Sequence, residues 1–217
     1  MHRFTDRSQA GSALVAPVRA LGLRDPAVLA LPRGGVVVAA ELAAALGAPL
    51  DVLVVRKIGL PGREEYGVGA IAEGAEVPVL HDEALALHGL TPADLAPTVA
   101  RERRELGRRV ARYRGGRPPQ PVDGRAVVLV DDGVATGVTA LAALRALRAG
   151  GAARRVLAVP VGAADSLRAL APEADDIVCV VRRERFGAVG NYYERFDQVG
   201  DEEVLQLLAA GAAAPRE

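Results

Sequence analysis

Two adjacent acids end an apolar run in "VVLVDDGVATGVTA", residues 127–140, and a turn of small residues carrying two hydroxyls follows them. Asp131 and Asp132 raise each other's cost of ionisation unless hydrogen-bond donors or positive charge meet them. A vicinal diol supplies two donors at a suitable separation, and each bond to a charged acceptor contributes about 1.5–3 kcal/mol. Ribose is the obvious diol. The following residues, Ala135, Thr136, Gly137, Val138 and Thr139, offer backbone N–H groups, two hydroxyls and the start of a helix, which together suit a phosphate monoester. A plain strand-to-helix turn with a threonine cap would account for Asp-Asp-Gly alone. The full pattern reads as a cradle for ribose 5-phosphate.

With these residues the chain resembles the type I phosphoribosyltransferases, whose fingerprint for phosphoribosyl pyrophosphate is such an acid pair and threonine-glycine turn. The resemblance covers about residues 27–80 and 125–181. It implies that "LPRGG", 31–35, is the pyrophosphate loop: Arg33 brings charge, Gly34 and Gly35 let the backbone approach closely, and the peptide entering Arg33 is often cis. Taken alone, "RGG" reads rather as a glycine turn between strand and helix. The segment "RKIGLPGREEYGVG", 56–69, resembles the family's mobile catalytic loop, that of adenine phosphoribosyltransferases in particular. Arg56 and Lys57 would neutralise the leaving pyrophosphate, and the glycines would let the loop close and exclude water. Glu65 is the candidate general acid/base at the nucleobase, although "REE" also suits a solvated loop, and Tyr66 would pack against the closed site.

The implied reaction moves ribose 5-phosphate from phosphoribosyl pyrophosphate to a nucleobase-like acceptor. Its catalytic set is Asp131, Asp132, Arg33, Lys57 and Glu65. Mg²⁺ is the implied cofactor, carried largely by the substrate, with Asp131 as the candidate protein contact. His2, His81 and His88 lack metal-binding spacing and read as surface residues. Ala135 stands where members acting on 6-oxopurines carry an aspartate base, which disfavours hypoxanthine or guanine. Adenine-type and orotate-type members lack that acid too. Phe186, Tyr192, Tyr193 and Phe196 fall within a C-terminal stretch, 182–200, and could form a hood over the base, a region the resemblance does not cover. Phe186 and Tyr192 are its candidates for stacking on a flat ring, and Tyr193 and Phe196 read rather as a small core under the loop.

The elements that must hold these residues alternate between strand and helix. Residues 6–22 read as a helix with Asp6 as N-cap and Pro17 as a kink. "AVLAL" (27–31) is a buried strand, 36–47 a helix closed by Gly47, and "LDVLVV" (50–55) a second strand. Short strands near "AIAEG" and "VPVL" could form a hairpin. Leu95, Val99, Leu106, Val110 and Tyr113 place one apolar stripe on a helix reaching about residue 114, and 114–124 is a surface connection. Strands at 126–131, 155–161 and 176–181 then alternate with helices at 138–149 and 164–171, and 201–210 forms a last helix before a frayed tail. Near-continuous apolar strands between helices specify an α/β fold: a Rossmann-like, open, mainly parallel sheet with helices on both faces. A helical insertion (82–122) and the hood complete one domain spanning 1–217. Ligands of such sheets bind in loops at the strands' carboxyl ends.

Composition limits the alternatives. Lysine plus arginine equals aspartate plus glutamate, 27 each, so no net charge draws the chain to nucleic acid. Eight arginines and two glutamates occupy 101–117. This segment could serve a regulator that senses phosphoribosyl pyrophosphate and binds RNA or DNA, but it reads first as a solvated face or a homo-oligomer contact. Lys57 is the sole lysine; either arginine-favouring composition left one survivor, or the site needs a compact ammonium. No apolar run is long enough to span a bilayer, no secretory signal opens the chain, and the single Cys179 cannot form an intramolecular disulfide, which together suggest a cytoplasmic protein. A dinucleotide-binding oxidoreductase or a P-loop nucleoside triphosphatase would need glycine motifs that are absent.

Overall fold

The computed structural model describes residues 3–212, apart from the side chains of Glu65 and Ala212. His2 and residues 213–217 of the expected tail lie outside the described residues. The chain opens with α1 (Arg7–Arg19), capped by the Asp6 carboxylate, which accepts from the Gln9 N–H; Pro17 sits in its last turn. It continues through β1 (Ala27–Ala30), α2 (Gly34–Leu46), β2 (Leu50–Val52), β3 (Val55–Leu60), β4 (Arg63–Ala72) and β5 (Val79–Leu80). Next come α3 (Asp82–Leu87), a 3-10 turn at Pro92–Leu95 and α4 (Ala96–Arg114). The chain closes with β6 (Ala126–Val130), α5 (Val138–Ala149), β7 (Arg154–Ala163), α6 (Ala164–Leu170), β8 (Asp176–Arg183), a second 3-10 turn and α7 (Asp201–Ala212).

Five strands make a parallel sheet in the order β2-β1-β6-β7-β8. Side chains alternate between its faces with period two. Val28, Ala30, Val128, Val130, Val156 and Ala158 join Leu14 of α1, Leu42 of α2 and Leu208 of α7 in one core. Leu29, Val127, Leu129, Leu157 and Val159 meet Leu144 of α5 and Leu167 of α6 in another. A sheet buried on both sides needs uninterrupted apolar strands, which is why these runs are so legible.

The stretch expected as a mobile loop is instead a hairpin. β3 and β4 pair antiparallel, from Val55 opposite Ala72 to Leu60 opposite Arg63, with irregular register around Gly59. β5 adds a third strand. The strand expected over 50–55 accordingly divides, β2 ending at Val52 and β3 starting at Val55. Alternation explains the hairpin: Ile58 and Ile71 pack with Leu106 of α4, while Ala70 and Ala72 pack with Val138 and Ala142 of α5. The small sheet is therefore held between two helices, and the helical segment between 82 and 122 is one of its walls.

Candidate active site

β1 and β6 are neighbouring parallel strands in register from Ala27 opposite Val127 to Ala30 opposite Val130. The Leu31 N–H continues the ladder to the Val130 carbonyl at 2.9 Å. The two loops that leave their carboxyl ends, Leu31–Arg33 and Asp131–Gly137, must therefore lie side by side. Beyond them β3 supplies Arg56 and Lys57. The result is a polar cleft of about 540 Å³ lined by Arg33, Gly34, Arg56, Lys57, Asp131, Asp132 and Thr139, together with Glu64, Arg101 and Glu102. The peptide between Pro32 and Arg33 is cis, the form that the resemblance implied.

The acid pair is tightly fixed. Oδ1 of Asp131 accepts the Asp132 N–H at 2.9 Å, and Oδ2 of Asp132 accepts Nε–H of Arg7 at 2.8 Å. The Tyr193 hydroxyl donates to the Asp132 carbonyl at 2.6 Å. Burial, and then the charge of Asp132, hold the Asp131 carboxyl well above the usual carboxylate range, with Lys57 and Arg7 opposing. Burial likewise raises Asp132 against the pull of Arg7. The pair is short of positive partners and would gain from donors presented across the cleft.

Gly34 and Gly35 contribute differently from what their sequence suggests. A Cβ at Gly34 would run into the Asp132 carboxylate, and one at Gly35 would lie 2.8 Å from the Val130 carbonyl oxygen. Their smoothness lets the start of α2 press against the acid pair, so that a helix N-terminus supports the Asp132 charge. Gly35 is buried behind the cleft. In the phosphate turn Val134 is pinned to β7, its N–H donating to the Val161 carbonyl at 2.9 Å. Gly137 takes φ 79° and starts α5 without any side-chain cap. Ala135 is half-buried and its carbonyl accepts the Ser166 hydroxyl; Thr136 is exposed, Val138 is buried, and Thr139 faces the cleft.

Other expected residues are placed less simply. Arg33 leans toward the start of α7, its Nη1 4.0 Å from Oδ1 of Asp201. Lys57 is exposed. Arg56 donates through Nε and Nη2 to Oε2 of Glu102, at 2.9 and 2.7 Å. Glu65 lies in β4, with its side chain outside the described residues. The Tyr66 ring meets the edge of His88, centroids 5.1 Å apart. His88 is exposed and His81 half-buried.

Phe186 and Tyr192 require correction as stacking candidates for a base. Tyr192 is fully buried, its hydroxyl bonded to the Phe186 carbonyl at 3.0 Å, and the two rings stack on each other 4.9 Å apart. With Phe4, Val161, Val181 and Tyr193 they form a small core. Apolar rings with one satisfiable hydroxyl gain more from mutual burial than from waiting exposed for a ligand. Phe196 is the exposed ring of the group, and it covers the Arg7 guanidinium at 3.9 Å.

Two charged residues in the site escape a reading by motif. Arg7 belongs to the buried stripe of α1 with Ala10, Leu14 and Val18, and Glu102 to that of α4 with Leu106 and Tyr113. A charge inside an apolar stripe is the signal that could have found both. The arginines of 101–117 are largely taken up within the molecule: Arg101 by Glu64 and Glu102, Arg108 and Arg109 by Glu105, Arg112 by Asp201 and Glu202, and Arg114 by Asp51 and Glu73. No helix among the described residues is long and apolar enough to cross a membrane.

Comparison with known proteins agrees with this geometry. Residues 12–193 match the family model of the phosphoribosyl transferase domain. The chain is 45% identical over 208 residues to Rv0571c and MT0597 of Mycobacterium tuberculosis, both named as phosphoribosyl transferases. That match takes in 96% of this chain and 47% of each relative, so the chain spans about half the length of these curated relatives. The crystal structure of TT1426 from Thermus thermophilus superposes with a TM-score of 0.82 at 45% identity, over 97% of this chain and all of that one. A hypothetical protein of Neisseria gonorrhoeae, solved with bound ppGpp, shares the fold at 16% identity and a TM-score of 0.55, over 97% of this chain and 95% of that one. The acid pair, its turn and the loop beside it thus stand within a matched region that takes in most of the chain, which belongs to the phosphoribosyl transferase domain family.

Proposed function

We propose that this chain catalyses transfer of the 5-phosphoribosyl group from phosphoribosyl pyrophosphate to a nitrogenous base, releasing pyrophosphate. The observation that carries this reading is the adjacency of three parts at the carboxyl ends of neighbouring strands β1 and β6. Asp131 and Asp132 are under-compensated carboxylates suited to the ribose hydroxyls. The uncapped start of α5 with Thr139 suits the 5-phosphate. Arg33 and Lys57 suit a leaving pyrophosphate.

As the bond from the anomeric carbon to pyrophosphate loosens, positive charge grows on the sugar ring. Carboxylates held beside the ring stabilise that charge more than the ground state, while the phosphate contact supplies remote binding energy. Arg56 is not aimed at the pyrophosphate while Glu102 holds it, so its part begins with movement of the hairpin. Glu65 on that hairpin remains the proposed general acid/base.

Mg²⁺ is the proposed cofactor. Among the described residues no group of three or more His, Cys, Asp and Glu could hold a metal. One or two carboxylates completed by phosphate oxygens and water are, however, a donor set that Mg²⁺ favours. Asp131, with Asp132 beside it, would hold the ion, which when bound supplies charge neutralisation at the pyrophosphate. The acceptor is a nitrogenous base entering from the open side of the cleft.

The test is calorimetric titration with phosphoribosyl pyrophosphate and Mg²⁺, followed by turnover against a panel of purines and pyrimidines. Saturable binding and pyrophosphate release with one acceptor class are expected. Asp132→Asn should lower kcat/KM by roughly ten- to a hundredfold through loss of charge-assisted bonds. A folded wild-type protein that binds no phosphoribosyl pyrophosphate would overturn the reading.

A further inference from the structure

We propose that Arg7 is a positioning residue for the sugar site, a buried clamp that aims the Asp132 carboxylate at the ribose hydroxyls and is itself set by the C-terminal aromatic segment. The inference rests on the phosphoribosyl pyrophosphate reading and goes beyond it. That reading gives no role to α1 or to the aromatic rings.

Three contacts fix this one side chain. Nε donates to Oδ2 of Asp132 at 2.8 Å, Nη1 donates to the Asp197 carbonyl at 2.8 Å, and the flat face of the guanidinium lies 3.9 Å from the Phe196 ring centroid. Arg7 is about nine-tenths buried, which is uncommon for arginine unless its charge is matched. The planar fork is used as a fork, toward a carboxylate and a carbonyl at once, a geometry that a lysine could not copy. Phe196 in turn leans on Tyr193, ring centroids 4.9 Å apart, and the Tyr193 hydroxyl holds the Asp132 backbone carbonyl. Asp132 is therefore gripped twice, at its carboxylate through Arg7 and at its main chain through Tyr193. Both grips involve residues 193–197, Tyr193 directly and Asp197 and Phe196 through Arg7.

The N-terminal side of the clamp is just as definite. The Phe4 N–H donates to the Tyr192 carbonyl at 2.8 Å, the Glu194 N–H returns to the Phe4 carbonyl at 2.8 Å, and Arg195 pairs with Asp6 at 2.5 Å. α1 thus starts where the aromatic segment passes. Its first turn delivers Arg7 to the Asp132 carboxylate, and the missing side chain of Gly34 makes room for both groups.

A clamp of this kind acts on the sugar and not on the pyrophosphate, and that difference is measurable. Wild type, Arg7→Gln and Phe196→Leu are titrated with three probes: Mg²⁺-phosphoribosyl pyrophosphate, ribose 5-phosphate and inorganic pyrophosphate. Arg7→Gln should bind both sugar phosphates about tenfold or more weakly, by loss of a charge-assisted bond, and inorganic pyrophosphate within about twofold of wild type. Phe196→Leu keeps the ion pair and removes the ring that faces Arg7 and leans on Tyr193, so it should show the same selectivity at about threefold. If Arg7→Gln does not fold, Phe196→Leu decides alone. Equal weakening of all three probes, or unchanged sugar binding in the folded variants, overturns the clamp. A wild type that binds inorganic pyrophosphate but neither sugar phosphate removes the sugar site and the clamp together, an outcome separate from selective failure of the variants.

Discussion

Asp131 illustrates how the proposed ligand site is kept at the expense of stability. Its carboxyl is raised by burial and by Asp132, so the folded chain holds a proton there more tightly than the unfolded chain does. Proton linkage sets the sign: stability is greatest below the unfolded value near 3.8 and falls as pH rises through the window up to the folded value. Asp131→Asn removes that loss. Its Tm at pH 7 should exceed that of wild type by a few degrees, at about 2–4 °C per kcal/mol in a domain of this size, and the gap should close toward pH 4. Scanning calorimetry across that range checks it, and coincident Tm values at pH 7 would mean that the pair is better compensated than its surroundings indicate. The same substitution should weaken sugar binding, so the two readouts move in opposite directions.

The hairpin of β3 and β4 shows the same logic in an element. Arg56 reaches Glu102 and Arg101 reaches Glu64, so two charged pairs tether the hairpin to α4. The first is the stronger tether, because Glu102 is largely buried whereas Glu64 is mostly exposed. Glu102→Gln should loosen the hairpin. Amide hydrogen exchange over residues 55–67 is expected to quicken roughly tenfold, while exchange in β6 and β7 stays as it was. Unchanged protection of 55–67 would show that the packing of Ile58 and Ile71 is sufficient by itself.

This element was also the least legible in the sequence. The central strands announce themselves because both faces are apolar, and the acid pair stands out because it interrupts such a run. β3 mixes Arg56, Lys57 and Gly59 with apolar residues, and the alternation behind its two-sided packing is visible only once α4 and α5 are in place. Arg7 and Asp132 are 125 positions apart, and no local pattern couples them. Phe186 and Tyr192 misled for the opposite reason: clustered rings in a chain poor in aromatics look like a platform, while their burial depends on Phe4 and Val161, residues remote from them in the chain.

Across the whole molecule, a buried ionic knot ties the helical wall to the main sheet. Arg114 at the end of α4 donates to Asp51 of β2 at 3.1 Å, to the Val52 carbonyl at 2.8 Å, and to Glu73. The Gln120 N–H also reaches Asp51, at 3.0 Å. Arg114→Met would leave two acids facing each other with no cation between them. Chemical denaturation should register a loss of about 3–5 kcal/mol, and a loss under about 1 kcal/mol would show that water takes over the role of the guanidinium.

The meeting of Phe4, Arg7, Tyr193 and Phe196 has a temporal consequence. Residues 4–7 and 193–197 meet at Asp132, so a nascent polypeptide still emerging from the ribosome has the loops that follow β1 and β6 well before Asp132 is fixed by all its partners. On the proposed reading, competence to hold the sugar arrives only with residues 193–197.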